Sequence, residues 1–267
     1  MKSISILGCG WLGLPLAKSL LAKGFLVKGS TTSLDKIAVL QNTGINAFQV
    51  VLSENEISGD IDSFLSNSEI LIIDIPPKVR GNSGENFVAK IQLLIPFIEK
   101  TKVKKVLFVS STSVYPDDNS IITEETKRQP DSESGKQLVE AELILQSNPN
   151  FKTTVIRFGG LLGEDRHPIH FLAGRQNLEN PEAPINLIHQ IDCIGIIESI
   201  IKEDGFGETF NAVAPYHPSR KDYYTQKAIA FNLPLPMFEE SKSSLGKTIL
   251  SDKIEGVLGY KFQNKTL

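Results

Sequence analysis

The strongest constraint on this chain lies at its start. The apolar run Ser3–Leu7 leads directly into Gly8-Cys9-Gly10-Trp11-Leu12-Gly13 and then into an amphipathic stretch. The glycines fall as G-x-G-x-x-G, and each has a task in a strand–turn–helix unit. Gly8 permits a tight turn off the strand, Gly10 lets a pyrophosphate approach the backbone, and Gly13 lets helix pack on strand. The helix start then presents free N–H groups and roughly half a positive charge to phosphates. Leu12, Leu16 and Leu20, with Ala17 and Leu21, form the stripe to be buried, while Lys18 and Lys23 face out. Pro15 falls in the first turn or so, where its missing N–H costs little. A strand before and a helix after favour a dinucleotide site over the competing reading, a purely structural glycine turn.

The same alternation continues to about residue 160. Expected strands are Ser3–Leu7, Phe25–Gly29, Ala47–Leu52, Ile70–Asp74, Val106–Ser110 and Thr154–Phe158, with helices near 11–23, 33–42, 83–100 and 133–147. Runs such as Ile70-Leu71-Ile72-Ile73 are continuously apolar, as strands are when helices cover both faces of a parallel sheet. The fold class expected is therefore α/β: a Rossmann-type doubly wound parallel sheet over 1–160. After Phe158 the rhythm breaks into Gly-, Pro- and Asn-rich sequence, with an amphipathic helix at 193–203. Residues 161–267 read as a smaller substrate-binding region interleaved with the last strands of the sheet.

Composition narrows the partners. A chain of 267 residues with 40% hydrophobic residues and a net charge of −3 has no long basic run and no apolar run of bilayer length, so neither nucleic acid nor membrane is expected. No secretory leader is read at the N-terminus, and two distant cysteines, Cys9 and Cys193, suit a reducing cytoplasm without a disulfide. Cys9 stands close to a helix start that would lower its pKa; a small residue in a tight turn is the plainer reading. His167 and His170 flank Pro168 without a third ligand at suitable spacing, so no metal is expected.

The end of the second strand bears on cofactor choice. An acidic residue there would bind the ribose 2′-hydroxyl of NAD. The sequence instead offers Gly29-Ser30-Thr31-Thr32-Ser33 with no carboxylate before Asp35. Hydroxyls and helix-start N–H groups accept a 2′-phosphate, and Lys36 adds charge, so NADP is favoured over NAD. Ser33 also reads as a helix N-cap. Ile75 and Pro76, at the carboxyl end of the fourth strand, fall where ligands bind in such sheets, and Lys78 and Arg80 in the following loop are candidates for cofactor phosphate or a solvated loop.

A second motif, Ser110-Ser111-Thr112-Ser113-Val114-Tyr115, follows a buried strand. With Glu124-Glu125, "GKQLVEAE" at 135–142, "VIRFGGLLG" at 155–163, "INLIHQID" at 185–192, the "RHP" at 166–168 and "NAVAPYHPSR" at 211–220, the chain resembles an atypical branch of the extended short-chain dehydrogenase/reductase family. That family includes the nucleotide-sugar epimerases and dehydratases, and the resemblance covers nearly the whole chain. It implies a Ser or Thr, here Ser111, polarising the reacting oxygen. It also implies a Lys, here Lys136, that holds the nicotinamide ribose and lowers the pKa of a Tyr four residues earlier. It further implies substrate in the second half, where Arg157, Arg166, His167, Arg175 and Arg220 read either as grips for an anionic ligand or as ordinary solvated surface, with Ser111 and Thr112 of the second motif as further substrate-binding candidates. A homodimer would form through the helices at 86–100 and 137–146.

Two departures stand at the site. The residue four before Lys136 is Ser132, a better helix N-cap than proton donor, and Pro76-Pro77 replaces the family's small Asn/Ala-rich turn. Another group must then move the proton. Tyr115, the Tyr223–Tyr224 pair, or a water held by Ser111 and Thr112 are the candidates, although each tyrosine also reads as a packing residue. Lys136 reads equally as a solvated partner of Glu140. His189 reads as a core or carbonyl-bonding histidine. The cofactor contacts expected are thus Gly8, Gly10, Trp11, Leu12, Gly13, Ser30, Thr31, Thr32, Ile75, Pro76 and Lys136. Two functions compete. One is an NAD(P)-dependent epimerase, dehydratase or reductase acting on an anionic small molecule such as a nucleotide sugar. The other is a non-catalytic NADP(H) sensor.

Overall fold

The computed structural model describes residues 2–77 and 84–267, so Lys78 and Arg80 lie outside the described residues. In chain order the strands are β1 (Ser3–Leu7), β2 (Leu26–Thr31), β3 (Asn46–Leu52), β4 (Ile57–Gly59), β5 (Ile70–Ile73), β6 (Lys105–Ser111), β7 (Ile121–Ile122), β8 (Lys152–Phe158), β9 (Gly160–Leu162), β10 (Leu187–His189), β11 (Thr209–Ala212) and β12 (Thr248–Ile249). The helices are α1 (Gly13–Ala22), α2 (Asp35–Gln41), α3 (Ile61–Leu65), α4 (Phe87–Glu99), α5 (Glu133–Gln146), α6 (Ile169–Leu172), α7 (Gln190–Lys202), α8 (Arg220–Ala230) and α9 (Asp252–Leu258). None of the described helices is long and apolar enough to cross a membrane.

The main sheet runs β11-β8-β6-β5-β1-β2-β3-β4, parallel throughout except for the antiparallel edge strand β4. Strand order reverses between β1 and β5, which opens a crevice at their carboxyl ends, the usual ligand position in doubly wound sheets. Alternate residues of the apolar strands enter different cores. Ile70 and Ile72 of β5 pack with Leu16, Leu20, Ile196 and Ile200 of α1 and α7, whereas Leu71 and Ile73 pack with Phe64, Ile91, Leu94 and Leu138 of α3, α4 and α5. That two-sided burial is why β5 carries no polar residue in alternation. Beyond β8, strand β11 returns to the sheet edge and α7 packs beside α1.

Local chemistry sets several boundaries. Ser132 Oγ accepts from the Gly135 N–H at 3.1 Å and caps α5, and His189 Nδ1 accepts from the Ile191 N–H at 3.3 Å, which starts α7 before residue 193. Ser33 does not cap α2. Its N–H instead donates to Thr31 Oγ1 at 3.2 Å, and the helix begins at Asp35. Two buried acids tie distant segments together. Asp192 accepts from Tyr260 Oη (2.7 Å), Gln263 N (2.7 Å) and Asn264 N (3.1 Å), fastening the C-terminal segment to α7. Glu142, fully buried on α5, accepts from Ser110 Oγ, from Arg128 and from both Nε and Nη2 of Arg157.

Candidate functional site

The glycine turn closes on backbone contacts that leave no room for side chains. Gly8 has φ +106°, and a Cβ on it would fall 2.3 Å from the Asp74 carbonyl oxygen; one on Gly13 would fall 2.2 Å from the Gly8 oxygen. Gly10 differs, because a Cβ there would meet nothing within 4 Å. It faces a cleft of about 230 Å³ whose walls include Gly8, Ser30, Thr31, Thr32, Lys36, Asp74, Ile75 and Pro76. The N–H groups of Trp11 and Leu12 find no acceptor among the described residues. A bare backbone lip with spare donors, open to a cleft at the switch point, fits the diphosphate of a dinucleotide.

The hydroxyl-rich end of β2 is partly committed elsewhere. Ser30 is buried and its Oγ accepts from the Gly8 N–H at 3.0 Å, so it latches the glycine turn to β2. The buried Thr31 hydroxyl takes the Ser33 N–H. Thr32 and Lys36 remain exposed on the cleft wall. The carboxyl of Asp74 is half-buried beside Gly13 at the start of α1, and desolvation pushes its pKa up to about 7, against the lowering effect of the Gly13 backbone. Burial, with the Asp74 charge second, pushes the Cys9 thiol up to about 12. The helix start therefore does not activate Cys9, because burial outweighs it, and the cysteine is the small residue of a tight turn rather than an activated thiol.

The second motif places Ser111 at the end of β6, where its Oγ accepts from the Ser113 N–H at 3.1 Å and its own proton stays available. Thr112, next to it, is buried. Gly135 presses α5 against this turn: a Cβ there would stand 2.4 Å from the Ser113 oxygen. The adjoining Lys136 is exposed and pairs with no described carboxylate, Glu140 included. Ser132 is occupied as a cap.

Two candidates are drawn away from any substrate. Tyr115 is buried to 1% exposure; its hydroxyl donates to Asn211 Oδ1 at 2.9 Å and accepts from Arg157 Nη1, and burial raises its pKa. Arg157, expected among the substrate contacts, is instead buried in a two-pronged pair with Glu142. Neither group is exposed to a ligand, because a buried guanidinium needs its carboxylate and the tyrosine fills the core between them. His167 accepts from the Ile169 N–H through Nδ1, contacts Tyr223 Oη through Nε2 at 3.1 Å and stacks on that ring. Burial first, then Lys227 and His170, push its pKa down to about 4, so it is neutral near pH 7 and offers no charge to an anion. Arg175 is exposed and forms no ion pair with a described carboxylate, and Arg166 lies over the Trp11 ring. The reading of the sequence passed over Asp74 and Glu142. The signals were there: Asp74 is a lone acid closing an all-apolar strand, and Glu142 falls on the stripe of Leu138, Ala141 and Leu145.

The strand order, the glycine turn and the crevice at the sheet's reversal define a Rossmann-type doubly wound fold. No family model matches the sequence. The chain belongs to the YeeZ family: it is 35% identical over 266 residues to protein YeeZ of Escherichia coli K12, covering 98% of this chain and 96% of that one. Among solved structures, a functionally unknown conserved protein from Silicibacter pomeroyi superposes with a TM-score of 0.80 at 22% identity, over 100% of this chain and 95% of the other. UDP-glucuronic acid 4-epimerase from Bacillus cereus, solved with UDP-glucuronic acid and NAD, superposes with a TM-score of 0.79 at 16% identity, over 98% and 94%.

Proposed function

We propose that this protein binds a nicotinamide dinucleotide in the β1–α1 cleft and acts as an NAD(P)-dependent epimerase, dehydratase or reductase on an anionic small molecule of the nucleotide-sugar class. The observation that carries the reading is Gly10, bare toward the cleft and followed by two unsatisfied N–H donors. The likeness in fold to an epimerase solved with NAD and UDP-glucuronic acid supports the ligand class. Exposed Thr32 and Lys36, with no carboxylate on β2, favour NADP over NAD. When bound, the cofactor supplies hydride transfer. Gly8, Gly10, Trp11, Leu12 and Gly13 would hold its diphosphate, Ile75 and Pro76 would floor the cleft, and Lys136 would reach its nicotinamide ribose. Ser111 would donate its free proton to the reacting oxygen.

A specific test follows from the empty space at Gly10. Gly10→Val should fold with an unchanged melting midpoint, yet lose about 100-fold or more in NADPH affinity by calorimetry, because the side chain fills the phosphate position rather than striking the protein. Equal binding by both proteins would end the reading. Titration of the unaltered protein with NADP(H) and NAD(H) ranks the two cofactors.

The second reading is a dinucleotide-binding sensor without turnover. It is favoured by the commitments of Ser132 to its helix cap and of Tyr115 to the core, which leave no tyrosine at the family's proton-transfer position. Ser111→Ala separates the two. Under the enzyme reading the substrate-dependent change in nicotinamide absorbance should fall about 100-fold or more while dinucleotide binding persists. Saturable binding with no absorbance change on any nucleotide sugar would favour the sensor.

A further inference from the structure

We infer that Arg166 is a second grip on the dinucleotide diphosphate, delivered to the glycine turn by its stack on Trp11. The inference rests on the dinucleotide reading above and moves Arg166 from the substrate to the cofactor. Trp11 directly follows the bare Gly10, and it is one point at which the second half of the chain docks on the first. Its indole Nε1–H donates to Asp165 Oδ1 at 2.8 Å. Its carbonyl accepts from Gln190 Nε2 at 2.7 Å. Gly163 lies against the ring so closely that a Cβ would come within 2.6 Å of it. Gly163 and Arg166 exchange backbone hydrogen bonds of 2.9 and 3.1 Å, making residues 163–166 a short clip closed on itself.

On that clip the Arg166 guanidinium stands 5.0 Å from the indole centroid. Arg166 is exposed and pairs with no described carboxylate. A guanidinium lying on an aromatic face keeps its edge donors free for an oxyanion, and its planar fork suits a diphosphate. The charges already in the cleft call for such a cation. Asp74 is an acid beside Gly13, Lys90 on the cleft wall is already paired with Glu85 at 2.5 Å, and Lys36 belongs to the end formed by Ser30, Thr31 and Thr32, where the ribose phosphate would lie. Trp11 and Leu12 supply neutral donors only. Arg166 supplies the positive charge at the turn itself.

The test uses the full chain and its single tryptophan, Trp11, as the fluorescent reporter. NADPH and ADP-ribose carry the diphosphate; adenosine 2′-monophosphate does not. Arg166→Ala should weaken the first two about 10- to 100-fold and leave the third unchanged, with Arg166→Lys intermediate and the salt dependence of NADPH binding reduced in Arg166→Ala. NADPH should also perturb Trp11 emission in the unaltered protein. Unaltered NADPH affinity in Arg166→Ala overturns the inference while leaving the dinucleotide reading intact. Equal loss for all three ligands also overturns it, because the effect is then not one of the diphosphate. Failure of the unaltered protein to bind any dinucleotide overturns both.

Discussion

Replacing Glu142 with glutamine is expected to destabilise the fold by about 3–5 kcal/mol, the usual cost of breaking one side of a buried ion pair. The carboxylate is fully buried and accepts two hydrogen bonds from Arg157, one from Arg128 and one from Ser110. Glutamine keeps the shape but removes the charge, so Arg157, only 3% exposed, is left with an uncompensated guanidinium in the core. Tyr115 and Asn211 share that guanidinium's environment and do not carry a negative charge to replace the carboxylate. The melting midpoint should fall by roughly 10 °C or more. The measurement is thermal or urea unfolding of Glu142→Gln beside Arg157→Met and the double variant. A double variant more stable than Glu142→Gln alone identifies the stranded charge as the cause. A midpoint within about 2 °C of the unaltered protein would show that the network contributes nothing.

Asp74 gives the second large effect, and its sign is opposite to that of a surface carboxylate. Its folded pKa of about 7 lies above the unfolded value near 3.8, because burial disfavours the charged form. The folded protein therefore holds a proton that the unfolded chain has already lost. Stability contributed by this group is present below about pH 4 and is lost as pH rises toward 7, at no more than about 1.4 kcal/mol per pH unit. Asp74→Asn should thus be more stable than the unaltered protein at about pH 8, by roughly 2–4 kcal/mol, and nearly equal to it below about pH 4. The same carboxylate faces the cleft, so dinucleotide affinity of the unaltered protein should decline above about pH 7 and that of Asp74→Asn should not. Urea unfolding across the pH range checks the first statement. A stability difference that does not vary with pH would refute it.

Much of the architecture could be read from the residues because the physical signals were local. Continuously apolar runs such as Ile70–Ile73 required helices on both sheet faces, and Ser132 before Glu133 marked the start of α5 to the residue. The β2 boundary was read two residues short, since Ser30 and Thr31 look like loop residues until Gly8 and Ser33 supply their partners. Strands β9, β10 and β12 escaped notice because each has only two or three residues and its partner lies far off in sequence. The geometry of the candidate site was legible where backbone alone determines it, in the tight turn and close approaches at Gly8 and Gly13 and the open space at Gly10. It was not legible at Arg157 and Tyr115, whose pairing with Glu142 and Asn211 depends on contacts between strands and a helix that no spacing rule announces.

The packing of α7 and α9 has a consequence for how this protein can be divided. Ile196, Ile200, Phe210, Ile254 and Leu258 share one core with Ile4, Leu16 and Leu20, so the second half of the gene supplies an inner wall of the sheet's glycine-turn side. A product truncated near residue 160 would carry every residue of the glycine turn and yet lay Leu16 and Leu20 open to water, a sticky face rather than a formed cleft. The glycine turn cannot be borrowed as a module; it travels with the whole chain or not at all.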